Sequence, residues 1–410
     1  RMLALGMGFS CLCGPAASMA GCGMSIHAEN LMEEVSAQTV TGKEPDEAFQ
    51  KAMADFAIRL FTKTQSDDRN SLLSPASVLF ALAMSANGAE GETLAQMERL
   101  FGEFPLAELN EYLYRYRAEL FSEKSCKVHL TNSVWFRDTF EIRRTFLQKN
   151  ADYYGASAYR SAFDQQTVKD INLFIKQNTD GLVDRIVDSM DPQMQMFLIN
   201  TVLFDAKWQT NYRSYQVRNG EFTQADGTKR TVPMMHSTEH VYLQGTHFTG
   251  FVKPYAGRYS FVALLPEEGM PLSAFLASLT GEKWVQMMQA AKQDVIVNAT
   301  LPKFDYADEM TLNQALQQMG MTNAFSPEQA DFSGISPGPL YLAKVLHKTR
   351  IIVDENGTKA GAVTSMAYAT CSAPPIERYT VRLDRPFVYA IIDNETQLPL
   401  FFGALTQVSK

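Results

Sequence analysis

The chain has 410 residues, of which 46% are hydrophobic and 20% are charged, with a net charge of -8 and a pI near 5.4. This length allows one large domain or two to three ordinary ones, and the 37 lysines and arginines form no basic run, which argues against a nucleic-acid-binding protein. The five cysteines, at positions 11, 13, 22, 126 and 371, have neither zinc-site nor disulfide-framework spacing.

The N-terminal residues 1–22 have the pattern of a secretory signal, because residues 2–20 are small or apolar and Arg1 is the flanking charge. The sequence Ser-Met-Ala-Gly-Cys that ends at Cys22 is similar to a bacterial lipobox, so Cys22 is a candidate for lipidation. Plain secretion after an Ala-x-Ala-like site is one alternative, and a misread start codon is another. Residues 23–45 are polar and predict a flexible tether. We therefore expect an extracellular protein, secreted or anchored to the cell surface by an N-terminal lipid.

The first predicted helix spans residues 47–62, where Phe49, Met53, Phe56 and Leu60 recur at helical spacing. A second, mostly apolar helix follows Ser74-Pro75 and ends at residues 87–88, which predicts a buried helix. Further along, the pattern predicts strands at 127–136, 196–204, 259–265 and 295–301, and helices at 166–179 and 309–319. Strands and helices mix without βαβ regularity, repeats or linkers, so residues 46–410 are predicted to form one α+β domain.

A series of short motifs runs through this domain in a fixed order. They are Asn70 to Ser77, Gly88 to Thr93, Asn200 to Phe204 with Lys207-Trp208, Val232 to Met235, Leu301 to Phe304, Asp331 to Ser336, His347-Lys348, Asp354 to Thr358, and Asp384 to Phe387. The chain resembles the serpin family of serine protease inhibitors in these motifs, from about residue 47 to 405, and the N-terminal pattern suggests a bacterial type.

The resemblance implies the serpin fold, with three β-sheets, eight or nine helices and an exposed reactive-centre loop. It implies an inhibitor and not an enzyme, with no cofactor and no metal, most simply a monomer. The partners it implies are serine proteases; no nucleic-acid partner and no glycosaminoglycan site is evident in the sequence, and a membrane is reached only through the N-terminal lipid. The alternative is a non-inhibitory serpin with a binding or chaperone-like role.

Five residues match positions at which serpins open the central sheet. By this match, Ser74, Ser77, Asn200 and His347 form a structural polar cluster under the centre of the sheet, where two strands must separate. A buried hydrogen-bond network can be satisfied in two arrangements, whereas apolar packing would open a cavity. Trp208 resembles the aromatic residue at the top of the sheet, where the loop first enters. The alternatives are helix capping for the serines and simple core positions for the others.

Residues 357–370 are small and carry a single charge, Lys359, a composition that suits a strand better than a core element or a solvated loop. The resemblance identifies this segment as the bait loop, with an inhibitory hinge pattern. The matching hinge residues are Glu355, Gly357, Thr358, Ala360, Gly361, Ala362 and Thr364. Asn356, Lys359 and Val363 depart from the commonest residues, which keeps the non-inhibitory alternative open.

The usual 17-residue count from the hinge glutamate places the reactive bond between Cys371 and Ser372. The bonds Tyr368-Ala369 and Met366-Ala367 are the alternatives. A cysteine thiol is small and apolar, which favours an elastase-like target, whereas Tyr368 would favour a chymotrypsin-like one. The absence of Arg and Lys near the bond argues against trypsin-like targets.

Two motifs suggest other chemistry and fail on inspection. Residues 334–338 (GISPG) match a nucleophile elbow, but Pro337 has no N–H for an oxyanion hole. Residues 236–240 (HSTEH) match a zinc motif, but strand-like neighbours would hold the two histidines about 13 Å apart.

Overall fold

The structure is a computed structural model that describes residues 25–120, 126–181, 183–191, 193–358 and 377–408. The sequence-based statements about residues 1–24, including Cys22, and about residues 359–376, including all three candidate reactive bonds, lie outside these ranges.

Nine α-helices occur in the described ranges. They are α1 (Glu47–Thr64), α2 (Pro75–Ala86), α3 (Gly91–Leu100), α4 (Leu106–Leu120), α5 (Arg144–Tyr154), α6 (Gln165–Asn178), α7 (Leu272–Ala277), α8 (Gly281–Gln289) and α9 (Asn313–Gln318). Helix α1 begins after Asp46, whose side chain accepts from the Phe49 amide. Helix α2 begins after Ser74 with a proline in its first turn, and all twelve of its residues are buried, as the sequence predicts.

The same ranges contain seventeen strands. They are β1 (Glu29–Asn30), β2 (Ser71–Leu73), β3 (Lys127–Arg137), β4 (Ser157–Ser161), β5 (Met196–Lys207), β6 (Val217–Thr223), β7 (Lys229–Glu239), β8 (Val241–Gly245), β9 (Phe248–Pro254), β10 (Tyr259–Pro266), β11 (Ile296–Pro302), β12 (Phe304–Thr311), β13 (Leu342–Asp354), β14 (Gly357–Thr358), β15 (Arg378–Arg382), β16 (Phe387–Asp393) and β17 (Pro399–Leu405).

The strands form three sheets, which we call A, B and C. Sheet A has the order β1-β4-β3-β5-β14-β13-β12, sheet B the order β2-β17-β16-β10-β9-β8, and sheet C the order β15-β11-β7-β6. Five strands make up the body of sheet A, because β1 and β14 have two residues each. Three sheets and nine helices confirm the α+β fold inferred from the sequence.

The main apolar core lies between sheets A and B and includes α1 and α2. A smaller apolar cluster fills the space between sheet A and α6, where the Trp135 ring stacks on Tyr159 with ring centroids 4.5 Å apart. Sheet A is therefore covered on both faces, and a polar group placed at its centre has no direct access to water. Within the described ranges, no helix is long and apolar enough to cross a bilayer.

Residues 25–45, for which the sequence predicts a flexible tether, lie against the domain in the structure. The Ala28 amide donates to Asp170 Oδ2 at 2.8 Å, and the Leu31 amide donates to the Ala158 carbonyl at 2.9 Å. Strand β1 also pairs with β4, which extends sheet A by one strand. These contacts use backbone groups and a buried carboxylate in α6, so the polar composition of the segment does not reveal them.

The helix predicted for residues 309–319 is shorter in the structure. Residues 309–311 belong to β12, where Glu309 pairs with Lys348 and Met310 with His347 on β13, and α9 begins at Asn313. Tertiary pairing with a neighbouring strand overrides the local helical pattern here.

Candidate functional site

The structure brings Ser74, Ser77, Asn200 and His347 together beneath the centre of sheet A. Asn200 on β5 lies directly opposite His347 on β13 and, on its other side, opposite Asn132 on β3. The two serines come from the start of α2, which packs under this row. All four side chains are completely buried, at 0% exposure. Their assignment to sheet opening remains a prediction, and the geometry shows how they could perform it.

The hydrogen bonds of this cluster fix the state of His347. The Ser74 amide donates to Nε2 at 2.9 Å, so the ring proton lies on Nδ1, which donates to Asn200 Oδ1. Burial lowers the pKa of His347 from 6.5 to about 3. The imidazole is therefore neutral at physiological pH, and it acts as a bridge between β13 and α2.

Asn200 and Ser77 carry the capacity for a second arrangement. The Ser77 hydroxyl is 3.4 Å from the amide oxygens of both Asn200 and Asn132, and it can donate to only one of them at a time. Asn200 Nδ2 is buried and has no partner within the described residues. If β5 and β13 separated, as the family resemblance implies, these groups would be free to form new hydrogen bonds, which would lower the free-energy cost of opening the sheet.

The lower part of sheet A is closed and its top is open. Strands β5 and β13 pair directly from Met196 to Thr201 on β5. At the top, Gly357 and Thr358 lie between the two strands and pair with both, opposite Lys207 and Ala206 on β5. The first two residues of a new central strand are thus already in place.

Gly357 and Thr358 are suited to this position in different ways. Gly357 has a φ of 149°, and a Cβ atom there would lie 2.2 Å from the Ala206 carbonyl oxygen, so the site accepts only glycine without strain. The Thr358 side chain is 2% exposed and its hydroxyl lies 2.7 Å from the Tyr255 hydroxyl. The Tyr255 ring stacks on Trp208 with centroids 4.4 Å apart.

Trp208 ties the end of β5 to the chain that leaves β13. Its indole Nε1 donates to the Asp354 carbonyl at 2.8 Å, and its amide donates to the Asn356 carbonyl at 3.0 Å. The Tyr212 amide in turn donates to the Glu355 carbonyl at 3.0 Å. Trp208 therefore lies at the entrance of the gap between β5 and β13. The family resemblance in the sequence implied a position at the top of the sheet for this residue.

Glu355 forms an ion pair with Lys303 on the loop between β11 and β12. The hydrogen bond from Lys303 lowers the pKa of Glu355, so the carboxylate is charged at neutral pH. The sequence analysis assigned no role to Lys303 or to Tyr255. The role of Lys303 could have been suspected from the sequence, because it is a single positive charge between two strand segments. Nothing in the sequence marks Tyr255 as the partner of Thr358. The remaining hinge residues, Ala360, Gly361, Ala362 and Thr364, lie outside the described residues.

The three side chains of the zinc-like motif at residues 236–240 have other partners in the structure. His236 Nδ1 lies 3.3 Å from the Thr300 hydroxyl, Glu239 accepts from Lys253 Nζ at 2.8 Å, and His240 Nδ1 lies 3.1 Å from the Val295 carbonyl. Each of the three zinc-motif side chains has its own partner.

The comparisons with known proteins agree with this geometry. The family described as Serpin (serine protease inhibitor) matches residues 51–408. An uncharacterized serpin-like protein of Thermococcus kodakarensis is 31% identical over 86% of this chain and 84% of its own length. The leukocyte elastase inhibitor of Homo sapiens is 28% identical over 87% of this chain and 98% of its own.

Solved structures give the same result. The thermophilic serpin tengpin in its native state superposes with a TM-score of 0.88, at 46% identity, over 93% of this chain and 100% of tengpin. Tengpin in its latent state gives a TM-score of 0.79 over 90% of this chain and 100% of its own. The described chain is therefore more similar to the native than to the latent form.

Proposed function

Because this chain is a member of the serpin family, whose members are generally protease inhibitors and not enzymes, we propose that it inhibits a serine protease as a suicide substrate. The serine Oγ of the protease attacks the carbonyl carbon of the reactive bond. The peptide bond breaks, the new amino group leaves with the C-terminal part, and the N-terminal part stays on the protease as an ester. Insertion of the freed segment into sheet A then traps this acyl-enzyme.

The observation that carries the proposal is the position of Gly357 and Thr358 between β5 and β13. A sheet that already holds the first two residues of a central strand can accept the next residues without a separate opening step at its top. The composition of residues 359–370, small and almost uncharged, suits continuation of that strand. A dozen new backbone hydrogen bonds at about 0.5–1.5 kcal/mol each would favour insertion by roughly 6–18 kcal/mol.

The proposed target has an elastase-like pocket, with a chymotrypsin-like one as the second choice. Cys371 as the residue before the cut supports the first, and Tyr368 supports the second. The similarity to leukocyte elastase inhibitors also favours an elastase-like target. We further propose that the inhibitor acts as a monomer outside the cell, secreted or held at the surface through a lipid on Cys22.

The test is incubation with pancreatic elastase and, separately, with chymotrypsin. A covalent complex that survives denaturing electrophoresis supports inhibition, and mass spectrometry of the released C-terminal peptide identifies the reactive bond. Ala360→Pro is expected to turn the inhibitor into a substrate, because proline cannot donate to the ladder of a central strand. Cleavage of the wild-type loop with full recovery of both proteases would instead favour a non-inhibitory serpin.

A further inference from the structure

The solvent face of sheet C has a composition unlike that of the whole protein. Residues paired across neighbouring strands share one face, and His236 on β7 pairs with Thr300 on β11, which pairs with Arg382 on β15. The opposite face packs into the core through Val297, Ala299, Leu301 and Val381. The even-numbered residues of β15 and β11, with Thr238 and His236 on β7 and Arg218 on β6, therefore lie towards solvent, whereas Phe222, Val232 and Met234 further along the β6–β7 hairpin are buried.

This outer face carries positive charge and no carboxylate. Its even-numbered positions hold four arginines, one histidine and neither Asp nor Glu; the arginines are Arg218, Arg230, Arg378 and Arg382. All four are exposed, and within the described ranges none has a carboxylate within 4 Å. Residues 359–376 contain no Asp or Glu that could pair with them. The protein as a whole has a net charge of -8, so these arginines create a local positive potential on a negatively charged molecule.

Arg218 and Arg382 lie on either side of His236 on this face. Burial lowers the pKa of His236, and the charges of the two arginines lower it further. Three residues far apart in sequence thus come together across the sheet. For this reason the sequence, which has no basic run, does not reveal the patch.

The turn that leads into sheet C adds an aromatic side chain beside the arginines. Tyr215 is 62% exposed, and among the described residues it is the one large hydrophobic side chain exposed to this degree. The turn is held by three hydrogen bonds: the Arg213 amide donates to Gln216 Oε1 at 2.8 Å, Gln216 Nε2 donates to the His236 carbonyl at 3.0 Å, and Arg218 Nε donates to the Tyr215 carbonyl at 3.0 Å.

The position of this surface relates it to the bait segment. Tyr212, just before the turn, donates its amide to the Glu355 carbonyl at the hinge, at 3.0 Å. At the other edge of sheet C, Arg378 begins β15, two residues after residue 376. The segment 359–376 therefore leaves the described domain beside the turn and returns to it at the arginine face. Both ends of the segment that the proposed protease would hold therefore border sheet C.

We infer that Arg218, Arg378, Arg382 and Tyr215 form a second contact surface for the target protease, one that recognises carboxylates on the protease beside its active-site cleft. The inference rests on the proposed inhibitory function. Arginine guanidinium groups bind carboxylates through two parallel hydrogen bonds, and Arg and Tyr are enriched in protein interfaces. Exposed charges around such an interface chiefly raise the association rate.

A single protease in two charge states gives the sharpest test. Native chymotrypsin is compared with chymotrypsin whose lysines are succinylated, which replaces positive by negative charges, after its activity on a small chromogenic substrate is verified. The measured quantity is the second-order rate constant of complex formation at about 0.05 M and 0.5 M salt, since screening shortens electrostatic reach from about 10 Å at 0.1 M to about 3 Å at 1 M. The variant is Arg218→Glu/Arg382→Glu, and the matched control is Lys149→Glu/Lys169→Glu, which makes the same change in net charge at exposed lysines of α5 and α6.

At low salt, the sheet C variant should associate with succinylated chymotrypsin at least about tenfold more slowly than the wild type, and with native chymotrypsin no more slowly. The number of inhibitor molecules consumed per protease should not change, and the difference should disappear at high salt. The inference is overturned if the variant keeps the wild-type rate, or if the lysine control slows association equally. It is also overturned if the variant loses only retention on immobilised heparin, because the patch would then be a polyanion site.

A separate measurement distinguishes failure of the proposed function from failure of this inference. If neither form of chymotrypsin gives a stable covalent complex, inhibition of that protease is excluded. Binding of succinylated anhydrochymotrypsin, which lacks the catalytic serine hydroxyl, is then measured by surface plasmon resonance. Binding that the sheet C variant weakens supports the surface, whereas binding that is absent or insensitive to the variant refutes it.

Discussion

Replacement of Thr358 by arginine tests whether the seated hinge is part of the inhibitory machinery. Thr358 is 2% exposed and contacts the buried Tyr255 hydroxyl, so a guanidinium group there would be buried against a neutral phenol. An uncompensated buried charge costs about 3–5 kcal/mol. If the transition state for insertion bears this cost, insertion slows by roughly 10²- to 10⁴-fold, because each 1.36 kcal/mol is a factor of ten in rate.

The consequence is a change in the fate of the acyl-enzyme. Insertion competes with hydrolysis of the ester, so slower insertion makes Thr358→Arg a substrate that the protease cleaves and releases. The assay is titration of protease activity with increasing inhibitor, combined with denaturing electrophoresis to separate the complex from the cleaved chain. Thr358→Ser keeps the hydroxyl and the small size and should behave like the wild type. Stable complexes of Thr358→Arg at the wild-type ratio would show that the hinge position does not govern insertion.

Three further predictions concern stability. The pKa of His347 is about 3 in the folded chain and 6.5 when the ring is exposed, so between these pH values the unfolded chain binds more protons. The free energy of unfolding should therefore fall by about 1.4 kcal/mol for each pH unit below pH 6.5. Urea denaturation of His347→Gln should lack this contribution to the pH dependence. Asp170→Ala removes the acceptor of the Ala28 amide, so residues 25–45 should be cleaved earlier in limited proteolysis; unchanged protection would contradict their docking. Gly357→Ala places a Cβ against the β5 backbone and should lower the melting temperature more than Gly227→Ala, because Gly227 also has a positive φ but has no neighbour within 4 Å. Equal shifts in melting temperature would show that backbone strain alone, and not the contact with β5, causes the loss.

Sequence motifs were sufficient to place the polar cluster. Ser74 and Ser77 stand at a helix start that a proline marks, and Asn200 stands in a predicted strand. No strand was predicted around His347, so its place in the cluster came from the family resemblance alone. The partners that complete the entrance were not accessible in this way. Tyr255 and Thr358 are 103 residues apart, and their contact depends on how β9 and the hinge meet above sheet A.

Cross-strand surfaces are the second class of feature that sequence scanning misses. Alternate residues of a strand face opposite sides, so the charges of one face are diluted by the core residues of the other. Arg218, His236 and Arg382 belong to three strands separated by long stretches of chain, and only the strand order of sheet C places them side by side. The absence of a basic run therefore says nothing about a basic face.

The energetics of sheet A bear on the proposed insertion of the bait segment. The first residues that would enter below Thr358 meet the open part of the sheet, because direct β5–β13 pairing begins only at Thr201 on β5. Residues that enter further down would replace each direct β5–β13 pairing by pairings on two sides, so the number of strand pairings rises as insertion proceeds. The obstacle is chain length. A strand that continues β14 antiparallel to the full 13 residues of β13 runs about 43 Å down the sheet at about 3.3 Å per residue, and the chain must return a similar distance to β15. The 18 residues from 359 to 376 reach at most about 65 Å, so a complete new strand requires either a cut in this segment or release of β15 from sheet C.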